Sequence, residues 1–339
     1  MSKMKITYFG NKTSAFSGAK TTIESLSPLF QEFLEVSTSS SAKNILIRIA
    51  AMVICFFRKG IQSDWILIDV YSTKAYWYAE IISRLARSFN KRYIVILHGG
   101  NLPDRHKRNP QSIKRVFDYA SHIVAPSPYL KSYFEQNGYK VTLIPNLIEL
   151  NHYPFFQRKS LRPLALGIRG FKSPYNALMT LDAIRICRDK GTEVQLLLLG
   201  NKGEDDYQKI IEFIALHKLD PLVTISKKIP KEEWIALSVN YDIMISNPLI
   251  DNSPVSIVEG MALGMCVVTT NVGGIPDFVE NNKEVLYVSS NNSEELANKI
   301  MFLLKDSELA EKLSKMGRLK AEQFDWINVK VLWKNLLGV

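Results

Sequence analysis

Short apolar runs alternate with longer amphipathic stretches along almost the whole chain. In the first half, residues 5–9, 65–70, 92–97, 121–126 and 141–145 are apolar and rich in β-branched or aromatic side chains, as strands buried on both faces of a parallel sheet are. Helical periodicity separates them: to about residue 33, over 45–57, from Tyr76-Trp77-Tyr78 onward, and over 129–136. Residues 147–162 lose periodicity and read as a linker. The second half repeats the rhythm, with strands at 164–167, 195–200, 223–226 and 241–246 and helices at 177–190, 207–217 and 231–237. It leads into the richest stretch, D-N-S-P-V-S-I-V-E-G-M-A-L-G-M-C-V-V-T-T-N-V-G-G-I-P, residues 251–276. There Ser253 is expected to cap a short helix with Pro254 at its first position, and Gly264 to end it in a left-handed cap. A buried strand at 265–268 and a Gly-rich turn follow.

Strict β–α alternation predicts an α/β protein of two doubly wound, Rossmann-like domains, their parallel sheets facing a central cleft. The expected boundaries are 1–155, 156–325 and a C-terminal helix, 326–339, packing back on the first domain. At 339 residues the chain is long for one core.

Composition narrows the chemistry. Cys55, Cys187 and Cys266 stand alone and the five histidines are scattered, so a reducing compartment and no structural zinc are expected. The first strand begins almost at once, so a signal peptide is not expected, and no run of about 18 apolar residues suggests a transmembrane helix. Net charge is +10, and residues 1–160 carry 22 Lys and Arg against 10 Asp and Glu. The excess positive charge therefore lies in the first half, suited to an anionic membrane surface or a phosphorylated substrate. No helix carries a basic stripe, which argues against nucleic acid.

Several residues have types and positions that suit chemistry. Asp251 and Glu259 bracket a helix N-terminus, where amides favour phosphate and carboxylates accept sugar hydroxyls; a capped helix with a solvated Glu fits the same residues. Arg169 and Lys172 end the first strand of the second half and suit phosphate oxygens. His98 ends the strand at 92–97, where ligands gather in parallel sheets. Beyond it a loop from 101 to 115 concentrates basic side chains, Arg105, Lys107 and Arg108 among them, as a solvated run or a platform for an anionic acceptor. Gly18 lies in a Gly-containing loop after the first strand, but neither G-x-x-x-x-G-K-[ST] nor G-x-G-x-x-G occurs, against a P-loop or a dinucleotide fingerprint. Residues 45–57 are almost wholly apolar between Lys43 and Arg58-Lys59, fitting either a helix packed on the sheet or one lying on a membrane surface.

Taken together the chain resembles the retaining glycosyltransferases of family 4, which have the two-domain GT-B fold. The resemblance rests on D-x7-E followed by G-M-A-L-G-M-C-V-V-T-T-N-V-G-G-I-P-D, with L-H-G-G at 97–100, A-P-S at 125–127, I-P-N at 144–146 and F-D-W at 324–326. It implies that Glu259 would hold the ribose of a nucleotide-sugar donor and Asp251 would contact the hexose. Ser253, Val255, Ser256 and Ile257 would face the sugar and diphosphate through their amides. Arg169 and Lys172 would neutralise the leaving diphosphate, Gly18 would line the donor phosphates, and His98 would act near the anomeric centre. Arg105, Lys107 and Arg108 would meet a saccharide or lipid-linked saccharide acceptor.

The chain departs from the family pattern at four places. Asp251 stands for a longer Glu, Pro254 lacks an N–H, Lys172 comes early after Arg169, and Asp277 replaces a Glu. The resemblance implies a metal-independent hexosyltransferase of cell-surface polysaccharide or lipopolysaccharide assembly, without cofactor. It would be cytoplasmic and peripheral on the membrane. An epimerase or phosphorylase of the same fold, or a non-catalytic nucleotide-sugar-binding homologue, would carry much of the same pattern.

Overall fold

A computed structural model describes residues 3–14, 20–39, 41–73 and 75–339, in two compact units, Met1–Pro145 and Asn146–Val339. The first unit is built from strands β1 (Lys5–Phe9), β2 (Glu35–Thr38), β3 (Trp65–Tyr71), β4 (Tyr93–His98), β5 (His122–Ala125) and β6 (Val141–Leu143). They form one sheet in the order β2-β1-β3-β4-β5-β6, every pair parallel. Helices α1 (Thr22–Phe30), α2 (Ile45–Arg58), α3 (Tyr76–Ser88), α4 (Leu102–Arg108), α5 (Pro110–Phe117) and α6 (Pro128–Gln136) connect them.

The second unit holds β7 (Leu164–Gly167), β8 (Gln195–Leu199), β9 (Val223–Ser226), β10 (Ile243–Ser246), β11 (Cys266–Thr270) and β12 (Val285–Val288). Their order is β12-β11-β10-β7-β8-β9, again all parallel. The helices are α7 (Ala177–Asp189), α8 (Tyr207–Leu216), α9 (Lys231–Leu237), α10 (Val255–Ala262), α11 (Ser293–Lys305), α12 (Ser307–Glu322) and α13 (Trp326–Leu337). The four leucines of β8 explain the unbroken apolar run. Leu196 and Leu198 enter the core on one face of the sheet, Leu197 and Leu199 that on the other.

The structure departs from the sequence reading at four places. Strands β2 and β12 were not expected; β2 is a short, half-exposed edge strand with little hydrophobic signal. The basic stretch after β4 is two helices rather than a loop. Pro103 opens the first, and Asn109 caps the second by accepting from the Ser112 amide at 3.1 Å. Residues 147–162 are no free linker: Ile148, Tyr153 and Arg158 are buried in the second unit. Arg158 donates to the carbonyls of Phe156, Leu263, Ser238 and Tyr241, single polar anchors that leave no periodic trace. Lastly, α10 begins at Val255, so that Pro254 is the cap residue and Ser253 makes no side-chain cap bond.

Candidate functional site

In the second unit the strand order reverses between β7 and β10, and the carboxyl ends of these two strands deliver Arg169 and Asp251. Arg169 Nη2 lies 2.5 Å from Asp251 Oδ2, and its Nη1 donates to Ser256 Oγ at 3.1 Å. The guanidinium also stacks 4.3 Å from the centre of the Tyr175 ring. Burial works against the Arg169 charge, but Asp251 and then Tyr175 outweigh it and raise the pKa. Asp251 is fixed from the other side as well. Gly274 N–H donates to its carbonyl at 3.0 Å, and Gly273, at φ +57°, lies so close that a Cβ there would come within 1.9 Å of the same oxygen. The V-G-G turn thus shapes a seat for the Asp251 backbone.

Helix α10 is buried along nearly its whole length. Gly260 permits this: a Cβ there would meet Met244 Sδ of β10 at 2.6 Å. Glu259 is one turn in, 5% exposed, and its Oε1 takes two partners. Tyr153 Oη donates to it at 2.9 Å, and Lys231 Nζ, at the start of α9, lies 2.5 Å away. Burial and then Glu259 push the Tyr153 pKa far up, so the phenol stays a donor. Ser253 and Ser256 are buried near the same helix start, and the Ser253 carbonyl accepts from Asn146 Nδ2 at 3.1 Å. Val255 is half-buried. The Ile257 side chain points into the core, and its amide closes the first turn on Pro254 O at 3.1 Å.

A third clamp holds the loop that carries Arg169. Glu204 Oε2 accepts from the amides of Phe171 at 2.7 Å and Asn201 at 3.2 Å, while Lys228 Nζ reaches Oε1 at 2.6 Å. Burial tends to raise the Glu204 pKa, but Lys228 and the two amides outweigh it and hold the carboxyl below its ordinary value. Lys172, by contrast, stands exposed at the head of the short turn Ser173–Tyr175.

In the first unit His98 ends β4 and is 8% exposed. Its Nε2 lies 2.8 Å from Asp69 Oδ1, and its ring stacks on Tyr71 at 4.9 Å. The basic residues after it separate. Arg105 folds back over Tyr76, 3.8 Å from the ring centre, and donates to Ser72 O at 3.3 Å, so packing engages it where the sequence suggested a free cation. Lys107 and Arg108 are exposed and line a cavity with Ser72, Thr73, Asn101 and Asp104. Gly18 lies outside the described residues.

Sequence reading missed Tyr153, Lys231, Glu204, Lys228 and Asp69. Tyr153 and Lys231 hold Glu259 and Asp69 holds His98, while Glu204 with Lys228 holds the loop that carries Arg169. Only Asp69 gave a local signal, as the one charged residue in the apolar strand W-I-L-I-D-V-Y.

Two parallel-sheet units of this kind are shared with solved structures. A sucrose-phosphate synthase from Thermosynechococcus elongatus matches with a TM-score of 0.82 at 16% identity, over 99% of this chain and 98% of that one. Anabaena HepE in complex with UDP and glucose matches with 0.79 at 17% identity, over 99% and 100%. The fold is therefore GT-B. Residues 160–320, most of the second unit, match the family described as Glycosyl transferases group 1. Among curated relatives, a D-inositol 3-phosphate glycosyltransferase of Paenarthrobacter aurescens is 23% identical over 68% of this chain and 60% of its own length. A Campylobacter jejuni N,N'-diacetylbacillosaminyl-diphospho-undecaprenol alpha-1,3-N-acetylgalactosaminyltransferase is 27% identical over 48% of this chain and 39% of its own length. The chain thus spans less than two thirds of either relative.

Proposed function

We propose that this chain is a retaining hexosyltransferase. It moves a sugar from a UDP- or GDP-linked donor to a saccharide or lipid-linked saccharide acceptor in cell-surface polysaccharide assembly. The observation that carries this reading is the grouping of Arg169, Asp251 and Glu259 around the start of α10, at the point where the strand order reverses. Glu259, with Oε1 anchored, offers Oε2 to the ribose hydroxyls, and Asp251 faces the hexose. When the bond from the anomeric carbon to the diphosphate breaks, negative charge grows on the leaving oxygens. Arg169 and Lys172 supply fixed positive charge there, so the reaction needs no metal. The acceptor hydroxyl bonds to the anomeric carbon on the face the diphosphate leaves, and its proton passes to a leaving phosphate oxygen. His98 contacts the transferred sugar. The uridine nucleotides held by HepE and the lipid-linked substrate in the Campylobacter enzyme's name favour this donor and acceptor class.

The first unit takes the acceptor, with Lys107 and Arg108 favouring an anionic group. Helix α2 fits a peripheral position on the cytoplasmic face of the membrane. Leu46, Ile47 and Ile54 are 72%, 61% and 53% exposed, beside the exposed bases Lys43, Arg58 and Lys59. A thermal-shift panel of UDP-, GDP- and ADP-sugars tests the donor assignment. A ligand at a hundred times its dissociation constant adds about 2.7 kcal/mol, a readily measured rise in melting temperature. No shift with any nucleotide sugar would reject the reading.

A further inference from the structure

We propose that Asp69 is a positioning residue for the transfer: by binding His98 Nε2 it fixes which ring nitrogen is presented to substrate. The inference rests on the role given to His98 above, and its support lies wholly within the first unit. Strands β1, β3 and β4 are neighbours, and the order reverses between β1 and β3. Asp69 is fully buried near the carboxyl end of β3, while the flanking Ile66, Leu67, Ile68 and Val70 are buried and apolar. A buried carboxylate in such a strand is costly unless it is paired and bonded. Here Oδ1 takes both His98 Nε2 at 2.8 Å and the Tyr8 hydroxyl at 2.7 Å. Oδ2 faces Gly10, where a Cβ would come within 2.2 Å of it, so the β1 terminus is shaped around the carboxylate.

An ionised carboxylate only accepts hydrogen bonds. Facing it, Nε2 carries the ring hydrogen, and Nδ1 is the nitrogen left to a substrate group. The stack of Tyr71 on the imidazole at 25° fixes the ring plane. The other groups facing the pair are Tyr8 from β1, Tyr71 from β3 and Tyr78 from α3. Burial first and Asp69 second raise all three phenols well above their ordinary value, so they stay neutral. Of further charges, Glu24 acts on Tyr71 and Arg48 on Tyr78. Among the described residues, Asp69 is thus the single charge in hydrogen-bond contact with the histidine.

The test compares Asp69→Asn, His98→Asn and the double variant by release of nucleoside diphosphate, together with the imidazole ¹⁵N shifts of His98. Asp69→Asn keeps the shape and removes the charge. It should lower kcat by about tenfold to a hundredfold, as loss of an orienting partner does, with donor KM unchanged. In the His98→Asn background Asp69→Asn should change nothing further. The ¹⁵N shifts of the wild type should report the Nε2–H tautomer, a readout that needs neither activity nor a folded variant. An Nδ1–H tautomer in the wild type would overturn the proposal, as would an undiminished effect of Asp69→Asn without His98. Failure of the wild type to release nucleoside diphosphate from any donor would instead reject the transferase reading.

Discussion

Arg169 and Asp251 stand 82 positions apart in the chain and form a 2.5 Å ion pair where the strand order of the second unit reverses. The pair explains why a cation and an acid both sit in the proposed donor site: each holds the other in place until substrate arrives. Arg169→Ala should lower kcat/KM for diphosphate release by about a hundredfold, comparable to losing one preorganised donor to a developing oxyanion. Arg169→Lys should remain closer to the alanine variant than to wild type. A lysine cannot reproduce the fork to Asp251 and Ser256 or the stack on Tyr175. A lysine variant with wild-type kinetics would show that charge alone suffices.

Tyr153 and Lys231 both reach Glu259 Oε1, but they should not matter equally. The Tyr153 bond is buried and charge-assisted, so Tyr153→Phe should weaken donor binding by about 1.4 kcal/mol, or about tenfold. The Lys231 side chain is 40% exposed, and Lys231→Met should cost less than about 1 kcal/mol even though its contact is the shorter. Isothermal calorimetry with the preferred nucleotide sugar checks the ranking. The reverse order would point to charge rather than orientation as the role of the pair.

Glu204 ties the Arg169 loop down through a carboxyl whose folded pKa is lowered. Its stabilisation is therefore fully present above the unfolded value and is lost as pH falls through the folded one. Wild type should melt higher than Glu204→Gln by a constant margin at neutral pH, and the margin should close below pH about 4. A margin independent of pH down to 3 would mean that ionisation of Glu204 contributes nothing to holding the loop.

The fold was largely legible because both sheets are parallel and buried, so that their central strands are continuous apolar runs. Strands 164–167 and 223–226 and the helix at 231–237 coincide with the observed elements. What escaped was short and half-exposed, as in β2, or long-range, as in the buried segment around Tyr153 and Arg158. At the site the sequence pointed to the residues with distinctive neighbours, Asp251, Glu259, Arg169 and His98. It was silent on what holds them, because Tyr153, Glu204 and Asp69 meet their partners only after folding. Arg105 shows the converse: in the sequence it is one base in a cluster, yet stacking on Tyr76 removes it from the exposed set.

Helix α2 carries the membrane reading. At low salt the protein should float with vesicles containing anionic lipid, and added salt should release it as screening weakens attraction to its bases. Leu46→Ser with Ile47→Ser should reduce flotation without altering diphosphate release on a soluble acceptor. No flotation of the wild type at low salt would refute the assignment.

Release of nucleoside diphosphate by wild type and Glu259→Gln, with donor and acceptor supplied, tests the central claim most directly. The amide keeps the shape of the side chain and removes the charge that accepts from the ribose. The donor-site assignment predicts a fall in kcat/KM of about a hundredfold, equivalent to about 2.7 kcal/mol, measured at a temperature where the variant is still folded by circular dichroism. Equal rates for the two proteins would contradict it.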